Sequence, residues 1–121
     1  MQLTKPATYL VVGASGVPID VAVTTVASAG IGVIAAQAVG WFVAATWNWA
    51  WNRRETWDSD ADPLREWARY LGVDAGRLAV RLGVVAVVVG AVPGIVATVV
   101  GIGAATVLGF LGFDRLVFAD A

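Results

Sequence analysis

The chain has 121 residues, of which 59% are hydrophobic and 14% charged; its net charge is −1, and it contains no cysteine and no histidine. A soluble domain lies nearer ~45–50% apolar and ~25% charged, so the composition, with a mean hydropathy of +0.77, points to lipid. The missing residue types exclude thiol chemistry, disulfides, histidine bases and the usual zinc sites, and the charge argues against nucleic acid as a partner.

The excess of apolar residues falls in four blocks, Thr8–Ala29, Ile31–Trp51, Val73–Gly90 and Gly94–Phe113. Each approaches the ~20 residues that a helix needs to cross a bilayer, where backbone groups must be satisfied within the segment. The expected fold is therefore an all-α membrane protein with four transmembrane helices, a single transmembrane domain over residues 1–121. Two local patterns are decoys. Val11-Val12-Gly13-Ala14-Ser15-Gly16 imitates a nucleotide-binding turn but continues into bilayer-length apolar sequence. Ala27-Ser28-Ala29 imitates a signal-peptidase site behind an apolar region too long for a signal sequence and interrupted by Asp20.

An offset of 61 residues lays one half of the chain on the other: Tyr9 on Tyr70, Gly40 on Gly101, Arg54 on Arg115, Trp57 on Phe118. No gap is needed between Tyr9 and Trp57. The chain reads as two parallel two-helix repeats, about 9–57 and about 70–118, joined by a loop with an interfacial helix at about 52–71. The first helix is expected to turn at Gly30 with its neighbours and the third around Ala91-Val92-Pro93. Neither turn carries charge, whereas Lys5, Arg53, Arg54, Arg65, Arg69, Arg77, Arg81 and Arg115 lie on the opposite side or lean toward it. That bias places both termini and the middle loop in the cytoplasm of a multi-pass protein in the cell membrane.

The second helix carries small residues every fourth position, Gly32, Ala36, Gly40 and Ala44, and the fourth helix repeats this with Ala97, Gly101, Ala105 and Gly109. Such ladders let helix backbones approach closely in lipid. Trp47, Trp49, Trp51 and Trp57 cluster as an interfacial aromatic belt would. Asp62-Pro63 reads as an N-cap followed by proline at the first helical position. The segment from Leu64 to Leu71 then reads as amphipathic.

Asp20 is the foremost candidate for function. It lies eleven residues beyond Tyr9, ~16 Å along a helix and near the bilayer midplane, where a lone charge costs ~2.5–3.5 kcal/mol or more. Its repeat partner is Arg81, at the same depth. The two are expected to face each other, either as an ion pair that only fixes packing or as a pair that meets a charged substrate. Arg77, one turn from Arg81 on the same face, completes a possible phosphate clamp, with Asp74 about a turn further on. Asn48 and Asn52 extend the ladder of the second helix and suit either a headgroup or a helix-to-helix tie; Gln37 is read as structural. Arg54 and Arg115 hold equivalent positions at helix ends, suited to lipid phosphate. No base, nucleophile or metal cluster accompanies these groups, so the chain is read as a binder or translocator and not an enzyme, with no catalytic residue, no metal and no cofactor.

Val11-Val12-Gly13, Asp20, Asn48-Trp49, Asn52-Arg53-Arg54 with Trp57, and Asp114-Arg115 with Phe118 together resemble the GtrA-like family of small four-helix membrane proteins, over nearly the whole chain from Tyr9 to Phe118. Asn48-Trp49 and Thr56-Trp57 stand where the family usually has phenylalanine after asparagine and threonine. The helix 3 charges are less uniform in the family, so Arg77 and Arg81 rest on their position in the helix. The resemblance implies translocation of a polyprenyl- or dolichyl-phosphate-linked sugar for cell-surface glycan or glycoprotein synthesis, beside a membrane glycosyltransferase. It also suggests an alternative, a non-transporting anchor or partner subunit of such an enzyme. The expected mechanism has Arg81 exchange Asp20 for the substrate phosphate. One copy is thin for enclosing a headgroup, so a homodimer is expected. A small-multidrug-resistance-like exporter shares the length and the acidic residue of helix 1, but not the paired arginine or the strong Lys/Arg bias.

Overall fold

The computed structural model describes residues 4–88 and 90–119, and all the regular structure among them is helical. In chain order come α1 (Lys5–Ile31), α2 (Val33–Trp51), a π-helical turn (Asn52–Thr56), α3 (Pro63–Val88), α4 (Gly94–Gly112) and a second π-helical turn (Phe113–Val117). The residues group into two compact units, one running through Trp67 and one from Ala68 to Ala119. The first turn of α3 therefore belongs with α1 and α2, and the rest of α3 with α4.

Local chemistry sets the helix ends. Thr4 caps α1, its hydroxyl accepting from the Ala7 N–H at 3.3 Å, with Pro6 in the first turn, where its missing N–H costs nothing. The expected cap of α3 is present as well: Asp62 Oδ1 accepts from the Leu64 N–H at 3.3 Å, and Pro63 is the first helical residue. The segment from Leu64 to Leu71 continues without a break into the remainder of α3. The turn from α3 into α4 falls over Gly90–Val92, before Pro93. The α1–α2 turn falls two residues beyond the centre of the expected stretch. Gly30 is helical, and the chain reverses at Gly32, with φ 86° and ψ 163°. Only glycine adopts that region readily, so Gly32 is a hinge and not the first rung of the α2 ladder.

The buried residues of α2 and α4 are all small, while Tyr9, Trp57, Tyr70, Phe113 and Phe118 are the large buried rings elsewhere. Ala36, Gly40, Ala44 and Ala45 are the buried residues of α2, and Ala97, Gly101, Ala105 and Gly109 those of α4. Large aliphatic side chains face outward: Ile34 is 87% exposed, Val87 82% and Val26 77%. A water-soluble helix pair would bury those side chains. Here they form the surface, as a protein solvated by lipid requires. The segments Lys5–Ile31 and Gly94–Val117 are long and apolar enough to cross a membrane by length and composition. Polar Gln37 and Asn48 dilute α2, and Asp74, Arg77 and Arg81 dilute α3.

Because Gly32 sits at positive φ, Gly32→Ala should destabilise the protein by about 1–3 kcal/mol. Gly30→Ala, at a helical position with nothing within 4 Å, should be neutral or stabilising by up to about 1 kcal/mol. Denaturation in mixed micelles followed by circular dichroism distinguishes the two positions.

Candidate functional site

In the first unit the polar side chains collect along the α1–α2 interface, at the points where a glycine admits them. Asp20 faces Gly40: a methyl group built on Gly40 would lie 2.6 Å from Asp20 Oδ1 and 3.0 Å from the Asp20 carbonyl oxygen, and would collide with Thr24 Oγ1. Thr24, one turn on, donates its hydroxyl to Asp20 Oδ1 at 3.1 Å. The carboxylate is thus held inside its own helix pair by a hydroxyl and a close backbone. Two turns further along α2, Asn48 lies on Gly16, where an added methyl would meet Asn48 Oδ1 at 2.5 Å. That oxygen is buried and has no hydrogen-bond partner among the described residues.

Beyond α2 the π-helical turn carries the chain back onto α1. The Trp57 N–H donates to the Asn52 carbonyl at 3.0 Å, five residues back. This extra residue in the turn brings Trp57 edge-on against Tyr9, ring centres 6.1 Å apart and planes at 68°. Asn52 is fully buried, and its Oδ1 accepts from the Thr56 hydroxyl at 2.7 Å. This bond lies within the π-helical turn itself, with Asn52 buried beneath it. Arg54 is exposed, with its guanidinium 5.6 Å above the Trp51 ring.

The second unit places its own groups in the same registers. Arg81 crosses α4 at Gly101, where an added methyl would lie 3.0 Å from the Arg81 carbonyl oxygen, 3.6 Å from its Cγ and 2.8 Å from Val85 Cγ2. The stem of Arg81 is therefore packed on α4, while the residue as a whole is exposed. The Phe118 N–H donates to the Phe113 carbonyl at 2.8 Å, and Phe118 meets Tyr70 edge-on at 6.2 Å and 66°. Phe113 stacks on Tyr70 at 4.2 Å, planes 8° apart, so it and Val117 fill the registers that Asn52 and Thr56 fill in the first unit. Arg115 is exposed on this turn.

Arg77 departs from its expected role as a free arm of a phosphate clamp. Its Nη2 is 2.7 Å from Asp74 Oδ1, a pair one turn apart on α3, and the Asp74 side chain is only 3% exposed. A buried carboxylate needs a counter-charge, and Arg77 supplies it. Among the described residues, Arg81 makes no ion pair.

The sequence expectations did not include Glu66, a heavily engaged side chain of the first unit. It is 2% exposed. Its Oε1 lies 2.6 Å from Arg53 Nη1 and accepts from Trp49 Nε1 at 3.2 Å, while its Oε2 accepts from the Ser59 hydroxyl. Arg53 also donates to the Ala61 carbonyl at 2.6 Å, and Trp67 Nε1 to Thr46 Oγ1 at 3.1 Å. Together these bonds bolt the first turn of α3 to the end of α2. The available signal was the spacing: Glu66, Tyr70 and Asp74 form an i+4 row on α3, and all three are buried.

An all-helical chain with aliphatic side chains outside and polar groups held within helix pairs defines an integral membrane domain. Residues 8–118 match the family described as GtrA/DPMS, transmembrane domain, and the chain belongs to that family. The family is associated with lipid-linked sugars and glycosyltransferases. No curated protein and no solved structure matches the chain.

Two substitutions test these contacts. Gly40→Ala should cost about 1–3 kcal/mol through overpacking against Asp20 and Thr24. Glu66→Ala should cost about 3 kcal/mol or more, because it strands Arg53. Gly76→Ala, at a position with nothing within 4 Å, is the control, and detergent-based unfolding curves provide the readout.

Proposed function

We propose that the protein translocates a polyprenyl- or dolichyl-phosphate-linked sugar across the membrane for surface glycan or glycoprotein synthesis. The observation that carries this reading is Arg81. It is a guanidinium group on a helix of a membrane domain, its stem lies on Gly101, and the residue is exposed with no ion pair among the described residues. A guanidinium fork matches phosphate oxygens bidentately and lowers the cost of carrying a phosphosugar through hydrocarbon. Arg77, being already bound to Asp74, supports the local field and not the phosphate directly. Arg54 and Arg115, exposed on the two π-helical turns, serve as phosphate contacts at the interface. Asp20 and the amide of Asn48 supply hydrogen-bonding groups for sugar hydroxyls.

The architecture proposed for this role is two copies of one helix pair, four spans in all, inserted in the same direction with both termini and the middle loop in the cytoplasm. It is supported by the contacts that recur at the 61-residue offset: Gly40 with Asp20 and Gly101 with Arg81, Tyr9 with Trp57 and Tyr70 with Phe118. The placement of Lys and Arg supports the orientation. A homodimer would enclose the headgroup, and a membrane glycosyltransferase would supply the lipid-linked sugar. A second reading, an anchor for that glycosyltransferase, is favoured by the family description, which joins GtrA to DPMS.

In proteoliposomes, Arg81→Leu should reduce flipping of a lipid-phosphate sugar at least tenfold while leaving the protein inserted; Arg77→Gln should also lower the amount of folded protein. Flipping at the wild-type rate in Arg81→Leu overturns the assignment. Stoichiometric co-purification with a glycosyltransferase and no flipping by the wild-type protein would establish the anchor instead.

A further inference from the structure

On the first unit, away from Asp20 and Gly40, the outer sides of α1 and α2 form an open groove of about 390 Å³ lined by Thr8, Val11, Val12, Ser15, Trp47, Trp51 and Glu55. Its construction is specific. Trp47, Trp51 and Glu55 succeed one another at i+4 steps down one side of α2 and its π-helical turn. The two indoles lie 5.6 Å apart with planes at 58°, so they present an angled pair of faces. Trp47 is fixed in that pose by a 2.9 Å hydrogen bond from its Nε1 to Ser15 Oγ, which itself donates to the Val12 carbonyl at 2.6 Å. Glu55 is exposed, and no hydrogen bond or ion pair engages its carboxylate among the described residues.

We propose that this groove holds an ammonium-headed membrane lipid, its cationic head between Glu55 and the Trp47–Trp51 faces and its chain along Val11 and Val12. Aromatic faces attract a cation within about 6 Å of a ring centre, and a carboxylate at the same end adds the opposite charge. Trp51 already receives one cation in this way. Arg54, which is not among the groove-lining residues, stands over it at 5.6 Å. The apolar walls exclude a small hydrophilic ion as the occupant, and the carboxylate disfavours an anionic headgroup. The site is separate from Arg81 and does not depend on the translocation reading.

The test uses the full chain in a neutral detergent and three single-chain amphiphiles of equal length, each with a nitroxide at the head to quench tryptophan fluorescence: one quaternary ammonium, one uncharged, one phosphate-headed. The ammonium probe should reach half-quenching at a mole fraction at least fivefold below that of the uncharged probe, and the phosphate probe at a higher one. Glu55→Gln should reduce that preference to within twofold and leave the uncharged curve in place. Ser15→Leu, which fills the groove, should weaken both probes. Asp60→Asn, in the segment between the first π-helical turn and α3, should leave the preference intact, and circular dichroism should show wild-type helix content in all three variants. The proposal is overturned by equal quenching by the ammonium and uncharged probes, by a preference that survives Glu55→Gln, or by an equal loss in Asp60→Asn, which would mark diffuse surface charge.

Discussion

Close approach of helix backbones at glycine is the constraint on which this structure rests. In lipid there is no hydrophobic force between helices, so association depends on van der Waals contact and on hydrogen bonds across the interface. Gly40 and Gly101 meet that demand by admitting a neighbouring helix to distances that a single methyl group would not permit. They also decide where polarity is tolerated. Asp20 and the stem of Arg81 occupy the spaces those glycines leave, and Asn48 occupies the one above Gly16. A charge within an apolar helix is possible here because a residue on the next helix has no side chain.

Much of this was legible in the sequence. The i+4 ladders are a one-dimensional signal, and the buried rows of α2 and α4 follow them from Ala36 and Ala97 onward. The Asp62-Pro63 start and the Pro93 turn are local chemistry as well. Partner choice was less legible. Gly30 and Gly32 both precede apolar sequence, and only backbone geometry shows which one reverses the chain. Arg77 stood next to Asp74 in the sequence-derived site, yet counting depth along a helix does not show that the buried carboxylate claims it. Asp20 was found from its depth, whereas the Thr24 hydroxyl and the close backbone at Gly40 are contacts that depth does not reveal. Glu66 was passed over because a glutamate among arginines near a helix start resembles a solvated face; its burial follows from Trp49, Arg53 and Ser59 converging on it from other segments.

The two π-helical turns show one geometry maintained by two chemistries. Each carries a backbone bond five residues back and sets an aromatic ring edge-on against a tyrosine. In one, the interior is an asparagine bonded to a threonine; in the other, a phenylalanine stacked on the tyrosine beside a valine. A buried asparagine requires a partner at a defined distance, whereas an apolar pair tolerates small displacements. The first turn is thus specified by direction and the second by volume. π-Helical turns often accompany functional sites, and here each exposes an arginine at its middle.

The seat of Asp20 also bears on how the chain reaches the membrane. Leaving the translocation machinery alone, α1 would carry an unshielded carboxylate into hydrocarbon, with only Thr24 on the same helix to bond it. The backbone that covers it belongs to α2, which Gly32 folds back directly after α1 ends. The seat of the carboxylate is complete only when the α1–α2 hairpin has closed, because α1 by itself lacks the backbone that lies against Asp20.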